Sequence, residues 1–552
     1  MIGRPDRNDI RRPAEPDDDA RPAAGGAVFT RAGFAMLGVV PGVLALLAVI
    51  TSAGTARYAQ LTDDAYYYLG IARHLASGHG STFNGLDVTN GYQPLWQGVT
   101  WMLASVTDDR ARLVVAVVAV SAIAWVATIY QCACIGAMLD RRLTVLIGTL
   151  VMTSVCVGSM RLAFDGMESC LAVLVLAVVI RLWVATDGLT RPSQRHADAV
   201  RLGVLLAVLV LVRVDAIVVA VAIGALALWR CRAATASRAV ALAVVAPTAV
   251  VLSTYLVVNR VVFGSALPIS TEAKAIGATG INLEPVRFFL EAGNLNGRPL
   301  WIGAITLFLS ALALAIAARK RSLHDKVLAS ILFALLIGTV LQFALLALRT
   351  TYSAFDWYLY TVPSMFLVAT IIVVESALDL VEDRPQRERW LSLGVVGLGA
   401  LMLLAGYSAT RAGSARGEAA AAIAPILDQV IRPGEAVAVG DNAGVIGYVT
   451  DRPVIQLEGI VESPEYLHAM RTGGVMDVLL RRHVSAIVTQ EIAGSQVTAV
   501  AGQPARRYCE PVLGGAPKTC ITVLEADRLA IVAEGTPDEF RVYRFRPELN
   551  SG

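Results

Sequence analysis

Residues Leu61–Trp96 read LTDDAYYYLGIARHLASGHGSTFNGLDVTNGYQPLW, and the organisation of the chain turns on them. Asp63 and Asp64 stand side by side just after the first long apolar run, at a boundary between water and lipid. After them Tyr68, Ile71, Ala72 and Leu75 recur at helical spacing, while Arg73, His74 and His79 supply polar groups. The pattern predicts an amphipathic helix lying in the membrane interface, capped at its start by the two acids. A loop rich in Gly and Asn then returns the chain toward the bilayer. Such a loop is a candidate active site, and the surrounding membrane helices are its support.

That the rest of the chain is membrane-embedded follows from its composition. Of 552 residues, 56% are hydrophobic and 16% charged, and the mean hydropathy is +0.61. Ordinary soluble proteins carry about 25% charged residues, so that class is excluded. The apolar residues gather in runs such as Gly38–Ile50, Leu113–Ile129 and Val327–Leu348, near the length of roughly 20 residues that spans a bilayer. The net charge of +3 gives no sign of a nucleic-acid partner. The distribution of charge says more, because Lys and Arg mark cytoplasmic loops.

Residues 1–29 are rich in Arg, Asp and Pro and cannot bury a core, which predicts a disordered cytoplasmic tail. The apolar run near 33–53 lacks a cleavage pattern and is expected to be a retained span. Basic clusters at Arg141-Arg142, Arg191–Arg195, Arg230–Arg238, Arg319–Lys326 and Arg384–Arg389 all fall inside if the spans lie near 33–53, 112–138, 143–160, 169–187, 200–212, 216–230, 239–258, 300–318, 327–348, 358–379 and 391–408. The expectation is a polytopic α-helical domain over 30–410 with about eleven crossings, N-terminus in and C-terminus out. At 200–230, Arg213-Val214-Asp215 interrupts an apolar stretch. Two half-length crossings meeting at an outward tip satisfy the charge rule, and a single long helix with a buried ion pair is the alternative. In the favoured topology the outward segments are 54–111, 161–168, the tip at 213–215, 259–299, 349–357 and everything after 409.

Beyond about 411 the pattern changes. GEAAAAIAPILDQVI reads as an amphipathic helix, AVAVGDNAGVIGY as strand-turn-helix, PVIQLEGI as a strand, and VMDVLLRRH with SAIVTQE as helix then buried strand. Residues 411–552 are therefore expected to form an extracytoplasmic α/β domain. RRYCEPVLGGAPKTCITVLE reads as a hairpin that sets Cys509 opposite Cys520. In an oxidising compartment the two form a structural disulfide, free thiols being the plainer alternative.

The outward segments hold the chemically equipped residues, each with a plain reading beside the functional one. Asp63 and Asp64 can simply cap a helix, or, as two carboxylates in contact, one can carry a raised pKa and act as a general base. Glu168, in FDGMESCL, is a dipole-favourable acid at a helix start or a ligand for the acceptor or donor. Arg213 and Asp215 can simply pair with each other. In NRVVFGSALPISTEAK, residues 259–274, Arg260 and Lys274 can hold a phosphate or stay solvated. Tyr358, in FDWYLYTVP, belongs to an interfacial aromatic belt or stacks on a sugar or lipid. His74 and His79 read as helix-surface and loop histidines. No HExxH, CxxC pair, P-loop or GxGxxG at a strand-helix junction occurs, so no metal centre is expected.

The stretch DDAYYYLGIARHLASGHGSTFNGLDVTNGYQPLW resembles the first extracytoplasmic loop of bacterial GT-C fold glycosyltransferases. That polytopic group includes protein O-mannosyltransferases, aminoarabinose transferases and mycobacterial arabinofuranosyltransferases. Further pieces follow in the order the resemblance requires: GMES at 166–169, LVRVDA at 211–216, FGSALPIS at 263–270 with Lys274, and WYLYTVP at 357–363. VAVGDNAGVIGYVTDRPVIQLEGIVESPEYL, residues 437–467, is similar to the outer domain of one bacterial branch. The resemblance covers nearly the whole chain.

The resemblance implies a GT-C-like enzyme of the bacterial cytoplasmic membrane with its site on the outer side. It would transfer a sugar from a polyprenyl-phosphate carrier to a saccharide, glycolipid or protein acceptor, with inversion. The first-loop acid would be the base; Asp63, the first of the pair, is favoured over Asp64. Lys274 and Arg260 would hold the donor phosphate, and Glu168, His79, Asn90 and Tyr358 are candidates for sugar contacts. No cofactor is required, and a divalent cation is compatible with the chemistry. The alternative from another class is a transporter or flippase for a lipid-linked or envelope saccharide, with Arg213-Asp215 as a coupling site; a non-catalytic envelope scaffold or sensor is a third reading.

Overall fold

The computed structural model describes residues 24–159, 162–190, 195–232, 237–295, 298–381, 415–490, 496–509 and 520–550, together with positions 390, 394 and 397. Among the described residues fourteen α-helices precede residue 381: α1 (Ala24–Thr51), α2 (Asp63–Ala76), α3 (Pro94–Ala104), α4 (Arg110–Met138), α5 (Arg142–Thr153), α6 (Ser169–Ala185), α7 (Arg195–Val212), α8 (Ile217–Cys231), α9 (Ser237–Phe263), α10 (Ile269–Ala275), α11 (Glu284–Glu291), α12 (Ile302–Arg319), α13 (Leu323–Arg349) and α14 (Val362–Leu378). Among the described residues seven helices are long and apolar enough to cross a membrane, and two shorter apolar helices accompany them. Helices thus stand at the first ten expected spans. Of the eleventh, 391–408, only positions 394 and 397 are among the described residues, and residues 1–23 of the expected tail lie outside them. α1 begins at Ala24, inside the stretch expected as tail.

The long helices follow from uninterrupted apolar sequence with caps at the ends. The Asp109 carboxylate accepts from the Arg112 N–H at the start of α4, and the Ser322 hydroxyl accepts from the Asp325 N–H at the start of α13. α9 carries Pro247 in its interior. Proline has no N–H, so the carbonyl of Ala243 loses its helical donor. Gly203 of α7 lies against that carbonyl; a Cβ there would stand 2.3 Å from the Ala243 oxygen. A glycine is therefore what lets α7 and α9 pack at backbone distance.

The apolar stretch 195–231 reverses direction at Arg213. The start of α7 and the end of α8 meet at one place: Arg195 Nε donates to the Leu189 carbonyl and Arg230 Nε to the Gly188 carbonyl, both at 3.0 Å. The tip, Val214–Ala216, is a single 3-10 turn. The two-helix reading of this stretch, and not the single long helix, describes the structure.

The C-terminal region is α/β. Helices α15 (Ala415–Val430), α16 (Ala443–Val449), α17 (Pro464–Thr472) and α18 (Val475–Arg481) accompany a five-stranded sheet. Its strands are β3 (Ala436–Val439), β4 (Val454–Gln456), β5 (Val484–Gln490), β9 (Arg528–Val532) and β10 (Phe540–Arg544), in the order β4-β3-β5-β10-β9; β1 and β2 are a two-residue pair at Asn294–Leu295 and Arg298–Pro299. β3 runs parallel to both neighbours, and β10 is antiparallel to both of its own. β6 (Gln496–Val500), β7 (Gln503–Cys509) and β8 (Cys520–Leu524) form a separate antiparallel sheet, where Cys509 faces Cys520 in register and is bonded to it.

This region is docked on the loops beside α2. Arg110 pairs with Asp451 at 2.6 Å, Arg471 with Glu272 at 2.9 Å, and Arg482 with Asp87 at 2.5 Å. Asn84 Nδ2 donates to Glu462 at 3.1 Å, and the Tyr448 hydroxyl donates to the Arg110 carbonyl at 2.8 Å. α2 consequently departs from the expected interfacial helix. Residues Ala65–Ala72 are all buried, on every face, because the C-terminal region covers the side that would otherwise meet water. Its cap position is Thr62, and the two acids form the first turn.

Candidate active site

The adjacent acids of α2 have different surroundings. Asp63 is clasped by the start of α16: its Oδ1 accepts from the Val445 N–H at 2.7 Å and its Oδ2 from the Gly444 N–H at 3.1 Å. Gly444 permits this approach, since a Cβ there would lie 2.2 Å from the Asp63 carbonyl oxygen. Burial pushes the Asp63 carboxyl up to about 8, against the pull of the Val445 N–H, with Asp441 and Asp64 adding to the rise. Asp64 accepts no hydrogen bond and makes no ion pair among the described residues. Burial lifts it to about 7; the Lys274 ammonium opposes the rise, while Glu458, Asp441 and Glu168 reinforce it. A carboxyl with that pKa and free lone pairs can exchange a proton near neutrality.

Around this turn the first loop is fastened to the segment before α6. The Thr62 N–H donates to the Asp165 carbonyl at 3.0 Å, and Trp96 Nε1 donates to the Gly166 carbonyl at 2.9 Å. The Tyr68 hydroxyl donates to Glu168 Oε2 at 2.9 Å. Glu168, 1% exposed, is also paired with Arg213 at 2.6 Å, and Arg213 holds Asp215 through two contacts of 3.1 Å. Gln342 Nε2 reaches both Asp215 Oδ2 and the Tyr358 carbonyl at 3.2 Å. Glu168, expected as a sugar ligand or a dipole-favoured acid, is thus committed to Arg213 and Tyr68. The Arg213–Asp215 pairing foreseen as the plain reading is present, with Glu168 as its third member.

Lys274 projects from α10 toward Asp64. Its Nζ lies 3.4 Å from the Tyr358 hydroxyl and 5.5 Å from the centre of the Phe355 ring. Burial works against its charge, but Tyr358 and Asp64 more than offset this, and its pKa is raised. Tyr358 faces inward, under the Arg213 guanidinium at 5.0 Å, so it is not a member of a lipid-facing belt. Asn90 is buried and clamps the segment ahead of Lys274: its Oδ1 accepts from the Ile269 N–H at 3.0 Å and its Nδ2 donates to the Leu267 carbonyl at 3.2 Å. Each end of that amide makes one hydrogen bond to this segment, so Asn90 positions the chain that carries Lys274.

Two expected site residues stand apart. Arg260 is exposed in the last turn of α9, where its guanidinium folds back onto the Gly264 carbonyl. A helix end offers unpaired carbonyls to a nearby cation, and that local demand uses the side chain. His79 is exposed in the loop after α2, 2.8 Å from the Ser77 hydroxyl. Conversely, Asp441 and Glu458, not singled out from the sequence, contribute charge at Asp64. They follow β3 and β4, and loops at the carboxyl ends of parallel strands are where α/β folds place ligands; GDN after one strand and LEG after the next were the available signal. Among the described residues no group of three or more His, Cys, Asp or Glu side chains is close enough to hold a metal ion.

No protein-family model matches the chain, and no curated protein matches it. Solved structures similar to it include the archaeal oligosaccharyltransferase AglB from Archaeoglobus fulgidus in complex with an inhibitory peptide and a dolichol-phosphate, at 12% identity and a TM-score of 0.46, over 84% of this chain and 70% of that one. ArnT from Cupriavidus metallidurans bound to undecaprenyl phosphate matches at 12% identity and a TM-score of 0.46, over 87% and 97%. The same protein in the apo state matches at 13% and 0.47, over 87% and 96%.

Proposed function

We propose that this chain is an inverting, GT-C-like glycosyltransferase of the bacterial cytoplasmic membrane. It moves a sugar from a polyprenyl-phosphate carrier to an envelope glycan or glycolipid on the outer face, Asp64 acting as general base. The observation that carries this reading is the arrangement of two charges: the Asp64 carboxylate has no hydrogen bond or ion pair among the described residues, and it interacts with the Lys274 ammonium, which is held 3.4 Å from the Tyr358 hydroxyl. The acceptor hydroxyl gives its proton to Asp64 as its oxygen bonds to the anomeric carbon. The bond from that carbon to the phosphate oxygen breaks, and its electron pair leaves on the polyprenyl phosphate. Phosphate departs without a general acid, so one carboxylate suffices, unlike the two of a glycosidase. Lys274 would balance the charge that grows on the departing group.

The division of labour inverts the expectation that the first acid is the base. In this reading Asp63, whose two oxygens each accept an N–H of α16, serves docking. What weighs against the transporter reading is that Arg213 and Asp215 are ion-paired with each other and Arg213 with Glu168. The test is transfer from a defined polyprenyl-phosphate sugar by purified protein, read as released polyprenyl phosphate. Asp64→Asn should abolish it, by about 10³-fold or more, with donor affinity retained. Because the base works ionised, wild-type kcat/KM should rise with pH through about 7. Wild-type turnover by Asp64→Asn would refute the proposal.

A further inference from the structure

We propose that Arg213 is a positioning residue that sets the distance between the base and the phosphate-holding cation; this rests on the reading of Asp64 and Lys274 given above. Two chains of contacts leave its guanidinium. One runs to the base. Arg213 Nη1 donates to Glu168 Oε1 at 2.6 Å, and Glu168 Oε2 accepts from the Tyr68 hydroxyl at 2.9 Å. Tyr68 lies four residues after Asp64, one turn along the same face of α2. The Gln93 N–H, donating to the same Tyr68 oxygen at 3.2 Å, and the Gln93 side chain, accepting from the Val214 N–H at 2.8 Å, close this chain onto the tip that carries Arg213.

The other runs to the cation. The guanidinium stands 5.0 Å from the centre of the Tyr358 ring, whose hydroxyl is 3.4 Å from Lys274 Nζ. Asp215, held by Arg213, receives Gln342 Nε2, and the same nitrogen donates to the Tyr358 carbonyl. Arg213 therefore touches neither Asp64 nor Lys274 by hydrogen bond, yet every element carrying them is referred to it. The flat fork of arginine is what the place requires: it holds two carboxylates in its plane while presenting its face to an aromatic ring. Lysine keeps the charge but cannot keep the plane. Arg213 and Glu168, both 1% exposed, are shut away from solvent, which fits a part that fixes geometry and does not meet substrate.

The experiment compares Tyr68→Phe, Glu168→Gln and Arg213→Lys in transfer from a polyprenyl-phosphate sugar, with thermal unfolding measured alongside. Tyr68→Phe removes only one hydroxyl and should lower kcat about tenfold, with KM within about twofold. Glu168→Gln and Arg213→Lys should each lower kcat by roughly 10²-fold. Tyr68→Phe combined with Glu168→Gln should fall well short of the product of the two, because both break one chain. Should Glu168→Gln or Arg213→Lys fail to fold, Tyr68→Phe still decides. Folded Tyr68→Phe with wild-type kcat, or with raised KM and unchanged kcat, overturns the positioning role. If Asp64→Asn is inactive while these variants are normal, this inference alone is wrong. If Asp64→Asn is fully active, the parent reading falls and takes this one with it.

Discussion

The helical bundle holds a cluster of ion pairs at each end, and the two are built alike but finished differently. At the end away from α2, Arg141 pairs with Asp325 at 2.6 Å and with Glu375 at 3.8 Å. Lys320 reaches Asp379 at 2.7 Å and Asp325 at 3.7 Å, and Thr144 donates to Glu375. Each of those charges faces an opposite one, and together they tie the α4–α5 and α12–α13 turns to the end of α14. At the α2 end, Arg213 does the same for Glu168 and Asp215. There, however, Asp64 and Lys274 stand beside the closed cluster without an ion pair of their own among the described residues. Paired charges fix geometry, at a desolvation cost their attraction must offset. Charges left over beside them are what chemistry can use.

The sharpest way to break this contrast is to remove the leftover cation. Lys274→Ala should lower kcat/KM by about 10²-fold or more while the protein remains folded, since a group aimed at developing charge acts chiefly in the transition state. Unchanged turnover, measured as polyprenyl phosphate release, would return Lys274 to a structural role. A smaller effect is expected where the C-terminal region meets the first acid. Gly444→Ala forces a Cβ into the Asp63 carbonyl and should lower kcat about tenfold while loosening the docked region. Limited proteolysis of full-length protein should show faster cleavage between the membrane helices and α15. Equal protection would mean the Asp63 clasp is not what holds the two parts together.

The smallest effects concern stability, and here the ends should move in opposite directions. The folded-state pKa of Asp64 is raised to about 7 from an ordinary value of 3.8. The folded protein therefore binds that proton more tightly than the unfolded chain, and stability is lost as pH rises from near 4 through 7. Asp64→Asn should raise the Tm by a few degrees at pH 8 and hardly at all at pH 4. Asp325→Asn, which strips a 1% exposed carboxylate from Arg141 and Lys320, should lower the Tm with transfer per folded molecule unchanged. A Tm decrease for Asp64→Asn at pH 8 would show that this acid has a partner after all.

The legible parts of the site were those that depend on position along the chain. The acid pair at a span boundary, the break at Arg213-Val214-Asp215 and the lysine in STEAK all follow from local pattern, and each lies where the structure gathers polar groups. The roles were less legible. Asp63 and Glu168 carry the same chemistry on paper as Asp64, yet both are spent on fixed partners. Arg260 and His79 belong to the same loops as Lys274 and Asn90 but are drawn to neighbours four and two residues away.

Periodicity and charge placement, read along the chain alone, determined a polytopic helical bundle, an α/β region after it, and the segments on which chemistry could occur. These depend on 3.6- and 2-residue repeats and on the cost of charge in lipid, which act over a few turns. Only the folded chain decided which acid stays free. That choice depends on contacts such as Asp63 with Val445, 382 positions apart, and Tyr68 with Glu168, 100 apart. Neighbouring identical side chains are separated by what packs against them, and packing across hundreds of residues leaves no mark in local sequence.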